Sequence, residues 1–189
     1  MSNYLMEIQT ERLVLRPLGL SYLNSTNEYS TDIENTKFMV YLPNDGLEET
    51  REFLVAVEEE WKKDKPEFWE FAVLLDGVHI GAVSLYFNEP NTCGELGWII
   101  SKEYWGRGYA YEASKAMVEA CIEKMNIRKF IAHCDSENLP SAGVMRKLGM
   151  QLVDQYGGRK NRSSDEVREE CKFELIIADN REHLSSALT

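Results

Sequence analysis

Between an apolar run, Leu96-Gly97-Trp98-Ile99-Ile100, and a long amphipathic segment that starts near Ala110, the chain carries Gly106-Arg107-Gly108. This junction constrains the fold more than any other feature. The apolar run reads as a strand that stops at Ser101-Lys102-Glu103, where charge begins. After the glycines, Ala110, Ala113, Met117, Ala120, Cys121 and Met125 recur at three- and four-residue steps. One face of a helix therefore packs on a sheet, and Asn126 closes it. The leading amides of a helix lack intrahelical partners and lie at the positive end of its dipole, so such a junction suits a diphosphate. Glycine lets the anion come close, and Arg107 adds charge. A simple turn explains the two glycines equally well. There is no GxxxxGK[ST] sequence, and no full GxGxxG spacing followed by an acidic strand end, which disfavours an NTPase or a dehydrogenase.

The remaining segments supply a sheet for this helix. Residues 8 to 16 are rich in branched side chains and end at Pro17, an opening strand. Between Glu48 and Lys63, Phe53, Leu54, Val57 and Trp61 fall on one helical face, and the surrounding acidic run reads as a solvated surface. Two apolar runs from Phe68 to Phe87 flank Asp76-Gly77, a pair that supplies the positive φ angles of a tight hairpin. Phe130 to Cys134 is a short strand of buried type, and Asn138 precedes a helix that carries Val144, Met145 and Leu148 and stops at Gly149. Residues 157 to 170, charge-rich after Gly157-Gly158, read as a long mobile connection between strands at about 150 to 155 and 171 to 177. A chain of 189 residues suits one core, so residues 1–178 are expected to form a single domain and 179–189 a frayed polar tail.

The formal charge of −11 argues against nucleic acid as a partner, since that binding leans on clustered Lys and Arg. An acidic surface suits either a cationic substrate, drawn by its long-range field, or solubility alone. No stretch approaches the roughly 20 apolar residues of a membrane span, and the first residues lack a signal-peptide layout, so no membrane association and a cytoplasmic location are expected. Cys93, Cys121, Cys134 and Cys171 are widely separated without a CxxC pair, which suggests buried reduced thiols and no metal site.

The strand, then Gly106-Arg107-Gly108-Tyr109-Ala110, the long helix, the next strand, Asn138-Leu139-Pro140-Ser141 and Lys147-Leu148-Gly149-Met150 follow in an order that resembles the GNAT superfamily of N-acetyltransferases. The ribosomal-protein N-terminal acetyltransferase branch is the most similar. The resemblance extends from about Glu7 to Ala178 and includes Thr10-Glu11-Arg12-Leu13-Val14-Leu15-Arg16-Pro17. It implies an α/β fold with a mixed, mostly antiparallel sheet, one splayed pair of parallel strands and flanking helices. It further implies acetyl-CoA as co-substrate and no metal. In the family's Gln/Arg-x-x-Gly-x-Gly/Ala motif, Gly108 and Ala110 fill the last two fixed places and Trp105 stands at the first. By resemblance Arg107, Gly108, Tyr109 and Ala110 line the pyrophosphate. Backbone groups of Trp98, Ile99 and Ile100 pair with the pantetheine arm, and Asn138, a natural helix N-cap, adds a coenzyme contact.

Acetyl transfer to nitrogen needs a base for the ammonium, a donor for the developing oxyanion, and a proton for the leaving thiolate. Glu95 is the candidate base, directly or through water, if burial raises its pKa; anchoring a cationic substrate or pairing at a strand edge are its alternatives. Glu112, in the first turn of the long helix, is already explained by the dipole. The place where many members of the superfamily carry a tyrosine holds Met145, which has no proton to give, so the leaving thiolate is left to Ser141, which the resemblance aims toward the sulfur, to water, to a nearby tyrosine, or to departure without an acid. His79 and His133 read as structural strand histidines. Direct transfer in a ternary complex is expected, with an amine acceptor: a protein N-terminus, a polyamine or another small amine. Phe38, Tyr41, Trp69 and Trp98 are candidate acceptor contacts that could equally be core. A non-catalytic acyl-CoA sensor or interaction module is the competing reading. Oligomeric state stays open, a homodimer included.

Overall fold

The computed structural model describes residues 7–88 and 92–178; the expected frayed tail, with His183, lies outside the described residues. The chain runs β1 (Ile8–Gln9), β2 (Leu13–Pro17), α1 (Leu23–Thr31), α2 (Ile33–Thr36), α3 (Leu47–Lys62), β3 (Phe68–Leu75), β4 (Val78–Asn88), β5 (Cys93–Ile100), α4 (Tyr109–Met125), β6 (Lys129–Asp135), α5 (Leu139–Lys147), β7 (Gln151–Lys160) and β8 (Val167–Ile176). The strands form one eight-stranded sheet in the order β1-β2-β3-β4-β5-β6-β8-β7. Every neighbouring pair is antiparallel except β5–β6. This is the mixed sheet with a single parallel pair that the resemblance implied.

Period-two alternation divides each central strand between two faces. Leu13, Leu15, Phe71, Val73, Val83, Leu85, Phe130, Ala132 and Phe173 pack with Met117 and Cys121 of α4 and Met145 of α5 in the larger core. Ala72, Leu74 and Ala82 turn the other way, onto Leu54 and Val57 of α3. Asp76 and Gly77 have φ of 49° and 81°, the left-handed pair of the expected hairpin. Asn126 ends α4 at φ 58°.

Two local expectations need correction. The opening strand is broken: the Thr10 hydroxyl accepts the Leu13 N–H at 2.8 Å, so β1 folds back on β2 as a hairpin. The connection after residue 150 is much shorter than expected, because β7 and β8 extend through most of it and leave only residues 161–166 between them. Gly158, at φ 101°, sits in an irregularity of the ladder instead of ending the strand. The charges that read as loop are cross-linked. Arg159 pairs with Glu170, Arg168 donates to Asp135 at 2.6 Å, and the Asn161 amide donates to the same buried carboxylate at 2.6 Å. Arg159 and Arg162 also reach across to the carbonyls of Phe38 and Tyr41, at 2.7 and 3.1 Å, so the hairpin is fastened to the segment between α2 and α3.

Candidate active site

Strands β5 and β6 pair through only three residues each, Cys93↔Lys129, Gly94↔Phe130 and Glu95↔Ile131, although β5 continues to Ile100 and β6 to Asp135. Beyond Glu95 the strands part. The Ser101 N–H donates to the Ile80 carbonyl at 2.8 Å, so by antiparallel alternation Ile99 and Gly97 also direct their backbone groups to β4. The N–H groups of Leu96, Trp98 and Ile100 therefore turn toward the opening. Of the three residues expected along the pantetheine arm, Trp98 and Ile100 turn backbone groups toward the opening, whereas those of Ile99 face β4. The Ile100 carbonyl is taken by the Trp105 indole N–H at 2.7 Å. Trp105, which stands where the family motif has a polar residue, thus ties the end of β5 to the turn that follows.

That turn delivers the chain to α4. Gly108 is the N-cap at φ 82°, and Gly106 has φ 73°; both are left-handed positions that favour glycine. The leading amides, Tyr109 to Tyr111, lack partners within the helix and form its positively polarised mouth. Arg107 is exposed, with its guanidinium 5.7 Å from the Tyr104 ring. At the start of α5, the Asn138 side chain accepts the Ser141 N–H at 3.2 Å, so Asn138 is an N-cap as its residue type suggests. Met145 is 1% exposed and belongs to the core.

Glu95 lies on the sheet face opposite α4, directly across from Tyr86. One of its oxygens pairs with His133 Nδ1 at 2.9 Å, and the other accepts from the Asn88 amide at 3.3 Å. The His133 hydrogen bond outweighs burial and holds the Glu95 carboxyl below its ordinary value. The raised pKa that a carboxylate base would need at Glu95 is therefore not present. Since an ionised carboxylate only accepts, the shared proton sits on Nδ1, which leaves Nε2 of a neutral imidazole with its lone pair. His133, read from the sequence as structural, stands on β6 two residues past its last position paired with β5, at the edge of the opening.

A second carboxyl on this face escaped the sequence reading. Glu70 of β3 is 8% exposed, across from Ser84, which in turn faces Gly97. Burial pushes its carboxyl up to about 8, and its negative form in turn raises the neighbouring Tyr29 and Tyr86 phenols beyond the effect of their own burial. Its signal in the sequence is the one charge within Phe68-Trp69-Glu70-Phe71-Ala72-Val73. Trp69, offered as an acceptor contact, is 5% exposed and stacks on Trp61 at 5.8 Å; it and Trp98 pack into the larger core on the opposite face. Tyr41 is 85% exposed and Phe38 is half-buried. His79 bonds Ser25 at 2.7 Å under α1, and burial pushes it down to about 4.

Residues 12–151 match the family described as the acetyltransferase (GNAT) domain. The chain belongs to the GNAT acetyltransferase family. An uncharacterized N-acetyltransferase of Bacillus subtilis (strain 168), YnaD, is 33% identical over 148 residues, 77% of this chain and 83% of that protein. The spermidine N(1)-acetyltransferase of Escherichia coli (strain K12) is 34% identical over 83 residues, 43% of this chain and 45% of that protein. Among solved structures, RimL, a ribosomal L7/L12 alpha-N-protein acetyltransferase in complex with coenzyme A, superposes with a TM-score of 0.80 at 17% identity, over 90% of this chain and 98% of that one. This GNAT protein is an acetyl-CoA-dependent N-acetyltransferase. The helix mouth at Gly108 and the strand opening beside it fit the diphosphate and the pantetheine arm of that co-substrate. Among the described residues no cluster of side chains has the makings of a metal site, and no helix is long and apolar enough to cross a membrane.

Proposed function

We propose that this acetyltransferase passes the acetyl group of acetyl-CoA directly to a primary amine, at a protein N-terminus or on a polyamine or other small amine, within a ternary complex. The observation that carries this reading is the Glu95–His133 pair standing beside the opening between β5 and β6. In this scheme Arg107, Gly108, Tyr109 and Ala110 hold the pyrophosphate, and the Trp98 N–H pairs with the thioester end. That amide also meets the oxyanion as the amine nitrogen attacks the carbonyl carbon, a donor worth about 3 kcal/mol. Glu95 keeps the proton on His133 Nδ1, so that Nε2 takes the proton of the acceptor ammonium directly or through one water. The C–S bond then breaks, and the nitrogen's second proton is passed to the thiolate through the Ser141 hydroxyl or water. Asn138 fixes the first turn of α5 and offers its amide group to the coenzyme.

A cysteine relay is disfavoured, because burial pushes the Cys134 and Cys121 thiols up to about 11 and about 12, away from the thiolate a nucleophile needs. Four free cysteines suit the reducing cytoplasm to which we assign the enzyme, with residues 1–178 as one domain. The test is a panel of primary amines, peptides, polyamines and monoamines, incubated with acetyl-CoA and read by release of free thiol. Turnover with intersecting initial-rate patterns is expected. Tight coenzyme binding without turnover on any amine would instead make the protein an acyl-CoA sensor, and ping-pong patterns with an acetylated cysteine would overturn direct transfer.

A further inference from the structure

The β1–β2 hairpin grips the first turn of α4 at the rim of the phosphate-binding mouth. Glu112 Oε1 accepts from the Thr10 hydroxyl at 2.5 Å and from the Arg12 backbone N–H at 2.9 Å. Its Oε2 receives Arg12 Nε at 2.7 Å and pairs with Nη2 at 2.6 Å, a two-pronged contact. The third guanidinium nitrogen, Nη1, donates to the Arg107 carbonyl at 3.1 Å, and the group lies 4.6 Å from the Tyr109 ring centre. One arginine thus links an acid in the helix's first turn to a carbonyl inside the glycine turn.

The arrangement has an electrostatic consequence. Glu112 has a side chain only 16% exposed. Burial raises its carboxyl, but the bonds from Thr10 and Arg12 outweigh that and hold it below the ordinary value. An ionised carboxylate in a helix's first turn competes for the same positive end of the dipole that would hold a diphosphate. Next to Gly108, where a side-chain carbon would lie 3.6 Å from Arg12 Nη2, the guanidinium is the cation placed to cancel it.

We infer that Arg12 is a positioning residue for the acetyl donor: it neutralises Glu112 and anchors the Arg107 carbonyl, so that the mouth of α4 meets the coenzyme's diphosphate preformed and without a competing anion. This rests on the donor binding at Arg107 to Ala110, as proposed above. Two donors separate the possibilities, acetyl-CoA and S-acetylpantetheine, which lacks the diphosphate. Arg12→Ala is expected to raise KM and the calorimetric Kd for acetyl-CoA about tenfold or more, with kcat falling far less, and to affect S-acetylpantetheine far less. Adding Glu112→Gln should restore much of the lost acetyl-CoA affinity, a coupling that a double-mutant cycle measures. Arg12→Lys, which keeps the charge but not the fork, should fall between parent and alanine variant and serves if the latter folds poorly. Equal losses on both donors, or no relief from Glu112→Gln, would overturn the inference. A parent protein that binds no acetyl-CoA at all would sink the donor reading beneath it.

Discussion

The two faces of the central sheet differ in what occupies the same strands. Under α4 and α5, Phe71, Val83, Phe130 and Phe173 are fully or nearly fully buried among apolar neighbours. On the opposite face the apolar cover from α3 stops at Ala72, Leu74 and Ala82, and the next positions along the strands are Glu70, Ser84, Tyr86, Glu95 and His133. Strand alternation lets one set of residues stabilise the fold while its immediate neighbours in sequence carry polar chemistry. The two functions are separated by one residue, Phe71 beside Glu70, or Leu96 beside Glu95.

The largest effect that would sharpen this division is on the apolar face. Phe130→Ala should cost about 3–5 kcal/mol of stability, read by denaturant unfolding, while the turnover of whatever protein remains folded stays near parental. A comparable loss of kcat in folded protein would break the division. On the polar face, His133→Ala should lower kcat/KM about a hundredfold with acetyl-CoA affinity little changed. Its unfolding midpoint should move little by comparison with Phe130→Ala.

Much of the apolar face could be read directly from the sequence, and less of the polar one. The helix stripe through Ala113, Met117 and Cys121, the Asp76-Gly77 turn, the Gly108 start and the Asn126 stop follow from local periodicity and backbone preference, which short windows contain. Glu95 was recognisable as a strand carboxylate beside the proposed coenzyme site. Its partner was not, because His133 lies 38 positions away and meets it only through the parallel register of β5 and β6. The extent of β7 and β8 was hidden for a similar reason. Gly157-Gly158 and the arginines look like loop until Arg159, Arg168 and Asn161 find Glu170 and Asp135 across the sheet. The Thr10–Arg12 grip on Glu112 likewise spans about a hundred positions.

A smaller effect comes from Glu70. Its folded carboxyl sits near 8, above the ordinary range, so between the ordinary value and about 8 the native state holds a proton that the unfolded chain releases. Stability should therefore fall as pH rises across that window, by up to about 1.4 kcal/mol per pH unit at the steepest. Glu70→Gln should flatten this slope in melts taken from pH 5 to pH 9. An unchanged slope would show that the carboxyl titrates normally and that this part of the face is wetter than its burial indicates.

In the proposed arrangement both faces serve one site: α4, seated on the apolar side, offers its unpaired amides to the diphosphate, and the polar side supplies the proton chemistry at the strand opening. Calorimetric titration of acetyl-CoA into the parent and a Gly108→Asp variant tests this most directly, because Gly108 holds φ 82° at the helix start and an aspartate there adds both strain and negative charge. The parent should bind with measurable heat and the variant should lose at least about a hundredfold in affinity, a charge and a conformation being wrong together. Equal affinity in the two proteins, or no heat from either, would contradict the account.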